Sequence, residues 1–286
     1  MTVNDFLAGS VAGAAGIFFG YPLDTVKTRL QTSSSYSGII QCVGKVLKTE
    51  GVLGMYKGVT APCLFAGIQH SLLFAGYATT LHLMHPGEAH VEARKDLPLA
   101  EIMFASFIGS IPQLVPSIPV EAVKTRLQFQ TEGYASASAR FHGPWDCARK
   151  MWKAEGIRAI YRGGNVMAVR DCFGNLFYLP VYETLHRFLK NQGSNTTAAQ
   201  LIAGGCAGSV SWLSICPLEV IKSRIQIADT PRSTLAVGRE ILAAEGWRAF
   251  YKGGLSMVLR GFPVNAIIFL VYEQCLLFME KEKTAS

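Results

Sequence analysis

The chain has 286 residues, half of them apolar, with 16% Asp, Glu, Lys and Arg and a formal net charge of +7. Globular chains carry about 25% charged residues, and mean hydropathy here is positive. A disordered chain or a nucleic-acid-binding tail is therefore excluded, and a membrane protein is the leading class.

In chain order, the first apolar stretch begins at once. It does not read as a secretory signal or a transit peptide, because Met1 to Asp5 holds an acid and no base. No charged residue falls between Asp5 and Asp24, Lys57 and Glu88, Glu101 and Glu121, or Lys190 and Glu219. Each gap suffices for a helix to cross about 30 Å of hydrocarbon. Two-residue alternation is missing, so helices are expected rather than a closed barrel. The sequence predicts a long apolar helix over 5–30, a short amphipathic one over 37–48 and a second long helix over 57–80. The same order returns over 98–128, 144–153 and 161–188, and again over 198–226, 234–243 and 251–278. The polar segments 84–96 and 191–197 read as turns between repeats. The fold expected is an all-α membrane protein of six transmembrane helices, in repeats 1–95, 96–192 and 193–286 with threefold pseudosymmetry.

The repeats are carried by motifs. Pro22-Leu-Asp24-Thr-Val-Lys27-Thr-Arg29-Leu-Gln31 returns as Pro119-Val-Glu121-Ala-Val-Lys124-Thr-Arg126-Leu-Gln128 and as Pro217-Leu-Glu219-Val-Ile-Lys222-Ser-Arg224-Ile-Gln226. Behind each copy stands a Glu-Gly pair and then an aromatic–basic–Gly triplet: Glu50-Gly51 with Tyr56-Lys57-Gly58, Glu155-Gly156 with Tyr161-Arg162-Gly163, and Glu245-Gly246 with Tyr251-Lys252-Gly253. Acid and base three residues apart share a helix face, and in a threefold ring each acid also reaches the base of a neighbouring repeat. A belt of ion pairs that must break to open a central path is expected, with Gln31, Gln128 and Gln226 bracing it. Solvated helix ends are the plainer alternative for these charges. Arg29, Arg126 and Arg224 are expected to face headgroups or solvent. The Glu-Gly block with Lys57, Arg162 and Lys252 is expected to form a lipid-headgroup platform. Small residues four apart (Gly9 and Gly13, Ser106 and Ser110, Gly204 and Gly208) suggest close helix approach. Pro112 and Pro116 ahead of Pro119 should distort the third long helix. The seven cysteines lack ligand spacing and read as small hydrophobes.

On these motifs the chain resembles the mitochondrial carrier family over essentially its whole length. The resemblance implies a monomeric six-helix carrier of the mitochondrial inner membrane, with the belt on the matrix side, alternating access, and cardiolipin or another anionic lipid at the grooves between repeats. The family also has a second network, aromatic-Asp/Glu-x-x-Lys/Arg, on the opposite side. Here the matching stretches are Tyr77-Ala78-Thr-Thr-Leu81, Tyr182-Glu183-Thr-Leu-His186 and Tyr272-Glu273-Gln-Cys-Leu276, so closure there should be weak.

Charge inside a membrane helix marks a functional site. Seven residues past the triplet glycines stand Phe65, Arg170 and Arg260, at one depth by repeat, and Asp171 follows Arg170. The guanidinium fork suits a carboxylate and the Asp an ammonium; a purely local Arg170–Asp171 pair is the structural alternative. Phe65 offers a ring face to a methylated ammonium or an aliphatic chain, or plain packing. Gln69, Asn175 and Asn265 are further pore-lining candidates. Within the family, Arg-Asp at this place resembles carriers of basic amino acids and of carnitine and its esters. The expected function is exchange of a small zwitterionic or cationic metabolite, without a cofactor and without a nucleic-acid partner. Carriage of carboxylates, nucleotides or cofactors such as S-adenosylmethionine, or a non-transporting scaffold role, are the alternatives. Neither a metal motif nor a nucleophile motif points to an enzyme.

Overall fold

The computed structural model describes residues 3–33, 35–87, 97–131, 139–193 and 196–285, with some side chains inside the helices left undescribed. Among the described residues all regular structure is helical. The first repeat holds α1 (Val3–Thr32), α2 (Ile39–Glu50), a 3-10 turn (Val52–Tyr56) and α3 (Thr60–Met84). The second holds α4 (Leu99–Gly109), α5 (Ile111–Phe129), α6 (Pro144–Glu155), the single turn α7 (Ile157–Ile160) and α8 (Gly164–Asn191). The third holds α9 (Thr196–Ile227), α10 (Thr234–Glu245), a 3-10 turn (Trp247–Tyr251) and α11 (Gly254–Ala285).

The long helices close into a ring. Within the repeats α1 touches α3, α5 touches α8 and α9 touches α11, while α3 packs on α4 and α5, α8 on α9, and α11 back on α1. The inner ends of α1, α5 and α9 meet one another as well. Helix runs on through Pro22, Pro119 and Pro217. The motif glycines have a backbone reason. Gly51, Gly156 and Gly246 end the short helices at φ of 69°, 64° and 76°, and Gly58, Gly163 and Gly253 turn into the second long helices at 83°, 78° and 77°. A side chain at those angles costs energy that glycine does not incur.

Each repeat has its own small core where the first long helix meets the short one. Val26, Leu30, Cys42, Val46 and Met55 form the first, Val123, Leu127, Cys147 and Met151 the second, and Val220, Ile225, Val237 and Ile241 the third. Cys42 and Cys147 are fully buried there. Burial pushes their thiols up to about 11 and about 12, so they behave as small hydrophobes. Cys172 lies outside the described side chains.

Three expectations change. The small-residue pairs do not mark the tight crossings: a Cβ at Gly9 or Gly208 would meet open space, and at Gly13 only the His70 ring at 3.5 Å. Ser110 instead turns its hydroxyl to the carbonyl of Phe107, 2.8 Å away on the preceding turn. Close approach falls at Gly16 and Gly20 of α1, where an added Cβ would stand 2.5 and 2.6 Å from Ile268 and Val264, and between Gly76 and Gly109, whose backbones touch.

Second, the third long helix is broken rather than distorted. α4 and α5 meet at 50° around Ser110. Pro112 sits in the first turn of α5, where its missing N–H costs nothing. The break lets Gly109 lie on Gly76.

Third, length and composition alone single out two membrane-spanning helices among the described residues, Val52–Met84 and Ile202–Ile227, with the bent α4–α5 pair as a third.

Candidate functional site

The ends of α1, α5 and α9 converge on the repeated motif. Lys124 donates to Asp24 at 2.7 Å, Lys27 to Glu219 at 2.5 Å, and Lys222 to Glu121. Every base thus reaches the acid of the preceding repeat, and three ion pairs close the ring. Contact inside a repeat is secondary, as Lys222 to Glu219 at 3.4 Å. Geometry explains the choice. On one helix face the i,i+3 pair lies along the axis, whereas the neighbouring helix presents its carboxylate across the short gap at the centre. Aromatic rings back two of the lysines: Nζ of Lys124 stands 5.1 Å from the Tyr21 ring centre and that of Lys27 5.9 Å from Trp212.

The glutamines do not brace these pairs, which corrects the sequence expectation. One turn on, they form a second ring. Thr28 donates to Gln128 Oε1 at 2.7 Å, Thr125 to Gln226 Oε1 at 3.0 Å, and Ser223 to Gln31 Oε1 at 3.1 Å. Thr28, Thr125 and Ser223 were missed as site residues, although the hydroxyl between Lys and Arg in each copy was visible in the repeat.

The arginines make a third ring. Nε of Arg29, Arg126 and Arg224 donates to the carbonyls of Gln128, Gln226 and Gln31 at 3.0, 2.8 and 3.0 Å. Arg29 and Arg126 are 1% and 8% exposed, so they do not face headgroups or solvent. Arg29 also pairs with Glu50, and Arg224 with Glu245 at 2.6 Å. Lys57, Arg162 and Lys252 likewise turn inward to Glu50, Glu155 and Glu245. Lys57 further reaches the carbonyls of Gln130 and Thr131, both at 3.0 Å. The bases of the Glu-Gly block are thus paired with their own glutamates, and Lys57 and Arg162 also reach carbonyls of the next repeat. Glu245 is held down to about 2 by the hydrogen bond from Arg224, which outweighs the upward push of burial, with Lys252 adding to the lowering.

The central residues hang on the belt. Arg170 donates to Asp171 Oδ1 at 2.8 and 2.5 Å, to Glu219 at 2.8 Å and more distantly to Glu121 at 3.5 Å. The local Arg170–Asp171 pair and the belt contact therefore exist together. Arg260 lies 2.7 Å from Asp24 Oδ1 as an ion pair, but without hydrogen-bond alignment, since that oxygen has no hydrogen-bond donor. Phe65, at the equivalent place, is 39% exposed. Gln69 is half-buried. The side chains of Asn175 and Asn265 lie outside the described residues.

At the other end, Leu81 is fully buried against Ala105, with Tyr77 and Leu97 around them. His85 meets Glu101 at 2.8 Å, and Tyr182 stacks on His186 at 5.5 Å. There the first repeat, whose stretch lacks the charge pair, packs Leu81 of α3 on Ala105 of α4. Glu183, Glu273 and Leu276 lie outside the described side chains.

A threefold helical ring bolted by ion pairs at one end, with charged side chains hung inside it, defines a solute carrier. The sequence pattern of the mitochondrial carrier protein matches residues 1–87, 95–193 and 193–283. Human solute carrier family 25 member 45 is 37% identical over 96% of this chain and 99% of its own length. Mitochondrial substrate carrier family protein S of Dictyostelium discoideum is 36% identical over 95% of each chain. The rat mitochondrial basic amino acids transporter is 35% identical over 98% of this chain and 90% of its own. The chain belongs to the mitochondrial carrier family: it is a multi-pass inner-membrane transporter of a small-molecule solute, and not an enzyme.

Proposed function

We propose that the chain exchanges a small zwitterionic or cationic metabolite, of the basic amino acid or carnitine class, through six membrane spans arranged as repeats 1–95, 96–192 and 193–286. In this reading the ion-pair belt is the matrix gate and is closed here, so the central site faces the other side. Arg170, Asp171, Arg260 and Phe65 bind the substrate, with Gln69, Asn175 and Asn265 at the margin. The carrier acts as a monomer, and cardiolipin or another anionic lipid surrounds it.

One observation carries the proposal. Five bases (Lys27, Lys124, Lys222, Arg170, Arg260) meet four acids (Asp24, Glu121, Asp171, Glu219), and Arg260 is the base whose acid contact, to Asp24 Oδ1, lacks hydrogen-bond alignment. A substrate carboxylate satisfies Arg260 with two parallel hydrogen bonds that Asp24 does not supply. Asp171 then receives the substrate ammonium, because Arg170 retains Glu219. Phe65 supplies a ring face for an aliphatic stem or a methylated ammonium. Breaking three buried pairs without compensation is costly, so the gate opens with substrate aboard, which favours exchange over uniport. The name of the rat relative supports the amino acid branch.

The test is uptake by the purified chain in liposomes, using lysine, arginine, carnitine, ADP, malate and phosphate, with and without internal substrate. Saturable uptake of one zwitterion or cation, dependent on internal substrate and lost in Asp171→Asn and Arg260→Gln, is expected. Uptake of malate or ADP that survives Asp171→Asn overturns the substrate class.

A further inference from the structure

The three central positions do not treat the belt acids alike. Arg170 of the second repeat reaches Glu219 of the third at 2.8 Å, and Arg260 of the third reaches Asp24 of the first at 2.7 Å. Each arginine thus meets the acid of the next repeat. The same step leads from Phe65 on α3 to Glu121 on α5, helices that pack on one another, and Phe65 brings no charge. Exposure records the difference: the side chains of Asp24 and Glu219 are 4% and 2% exposed, and that of Glu121 is 24% exposed.

The contacts of Glu121 are lopsided as well. Lys222 and, at 3.5 Å, Arg170 both fall on Oε2, and among the described residues no hydrogen bond or ion pair reaches Oε1. Asp24 has two bases at 2.7 Å, and Glu219 has Lys27 at 2.5 Å besides Arg170. Where its two counterparts hold an arginine, the first repeat offers an exposed aromatic ring.

We propose that Glu121 and Phe65 form a subsite for a second cation of the substrate, carried on an aliphatic stem. With the substrate carboxylate on Arg260 and its ammonium on Asp171, the reading on which this subsite rests, a side-chain cation takes the place of the base that the first repeat lacks. Arg170 and Arg260 span the step from their own level to the belt, so a substrate chain of lysine or arginine length has the reach to do the same. The stem lies along the Phe65 ring, and the cation donates a charge-assisted hydrogen bond to Glu121 Oε1. A dibasic amino acid then completes the ring of bases over acids, and an amino acid with a plain aliphatic side chain does not.

Exchange by the full chain in liposomes is measured with lysine and with norleucine, which lacks the terminal ammonium. The wild type should favour lysine in kcat/KM by about 10–100-fold, the value of one charged hydrogen bond. Phe65→Lys supplies the missing base from the chain itself, so the preference should collapse to about one. Phe65→Met, which removes the ring and adds no charge, should lose no more than about fivefold of it. Without substrate, Phe65→Lys should also unfold about 2 °C or more above the wild type in phosphatidylcholine nanodiscs, because Glu121 gains a second base. If that variant carries neither amino acid, the midpoint decides: a rise supports the subsite, and no rise overturns it. A lysine preference unchanged in Phe65→Lys, equal use of both amino acids by the wild type, or uptake of carnitine without lysine overturns the subsite and leaves the zwitterion reading standing. Uptake confined to malate or ADP removes that reading and the subsite with it.

Discussion

Replacing Asp24 by Asn removes the acid that holds two bases, Lys124 and Arg260, each 2.7 Å away. At that distance one unit-charge pair is worth about 6 kcal/mol gross at an effective dielectric of about 20. Desolvation offsets much of it, and breaking one buried pair typically costs about 3–5 kcal/mol. The Asp24 side chain is 4% exposed and that of Lys124 14%, so screening by water is modest. The belt-closed form should lose roughly 10²–10⁴-fold in population relative to the open form, and exchange in liposomes should fall by a similar factor. The structure also says which reversal rescues it. Lys124 is the partner of Asp24, and Lys27 belongs to Glu219. Asp24→Lys with Lys124→Asp should recover at least about tenfold of the loss, short of full recovery because the new lysine faces Arg260. Asp24→Lys with Lys27→Asp should recover nothing. Equal rescue by both pairs, or by the second alone, would refute pairing between repeats.

A methyl group at Gly76 would stand 2.3 Å from the carbonyl oxygen of Gly109. Neither backbone can yield, so Gly76→Ala should lower the unfolding midpoint, with a cost of about 1–3 kcal/mol; an unchanged midpoint would show that α3 and α4 do not cross there. Glu245, held down to about 2 by Arg224 and Lys252, stabilises the fold above the ordinary carboxylate range, and that stabilisation fades as pH falls from about 4.5 towards 2. Unfolding midpoints against pH should therefore drop less steeply across that window in Glu245→Gln, which is already destabilised at neutral pH. Parallel profiles would show that Arg224 and Lys252 do not hold Glu245.

Much of the fold was legible because it is written three times. Repetition at fixed spacing located the long and short helices to within a few residues, since the same periodic pattern, the same proline and the same glycines recur. That the glycine of each Glu-Gly pair ends a short helix emerged only from its positive φ in the structure. Hydropathy over the described residues picks out two of the long helices and the bent α4–α5 pair.

Composition, charge gaps and the tripled motif by themselves determined the class of protein, the helical repeats and the set of acids and bases that meet. Partners were decided only in three dimensions. An acid and a base three residues apart satisfy one another equally well on paper, and the choice of the neighbouring repeat's base depends on how closely α1, α5 and α9 converge. The same holds for Arg29 and Arg126, which read as surface cations in a polar segment and are buried against carbonyls of the next repeat. Sequence spacing fixes which residues share a helix face, whereas the distance between helices, set by packing at Gly16, Gly20, Gly76 and Gly109, decides which faces touch.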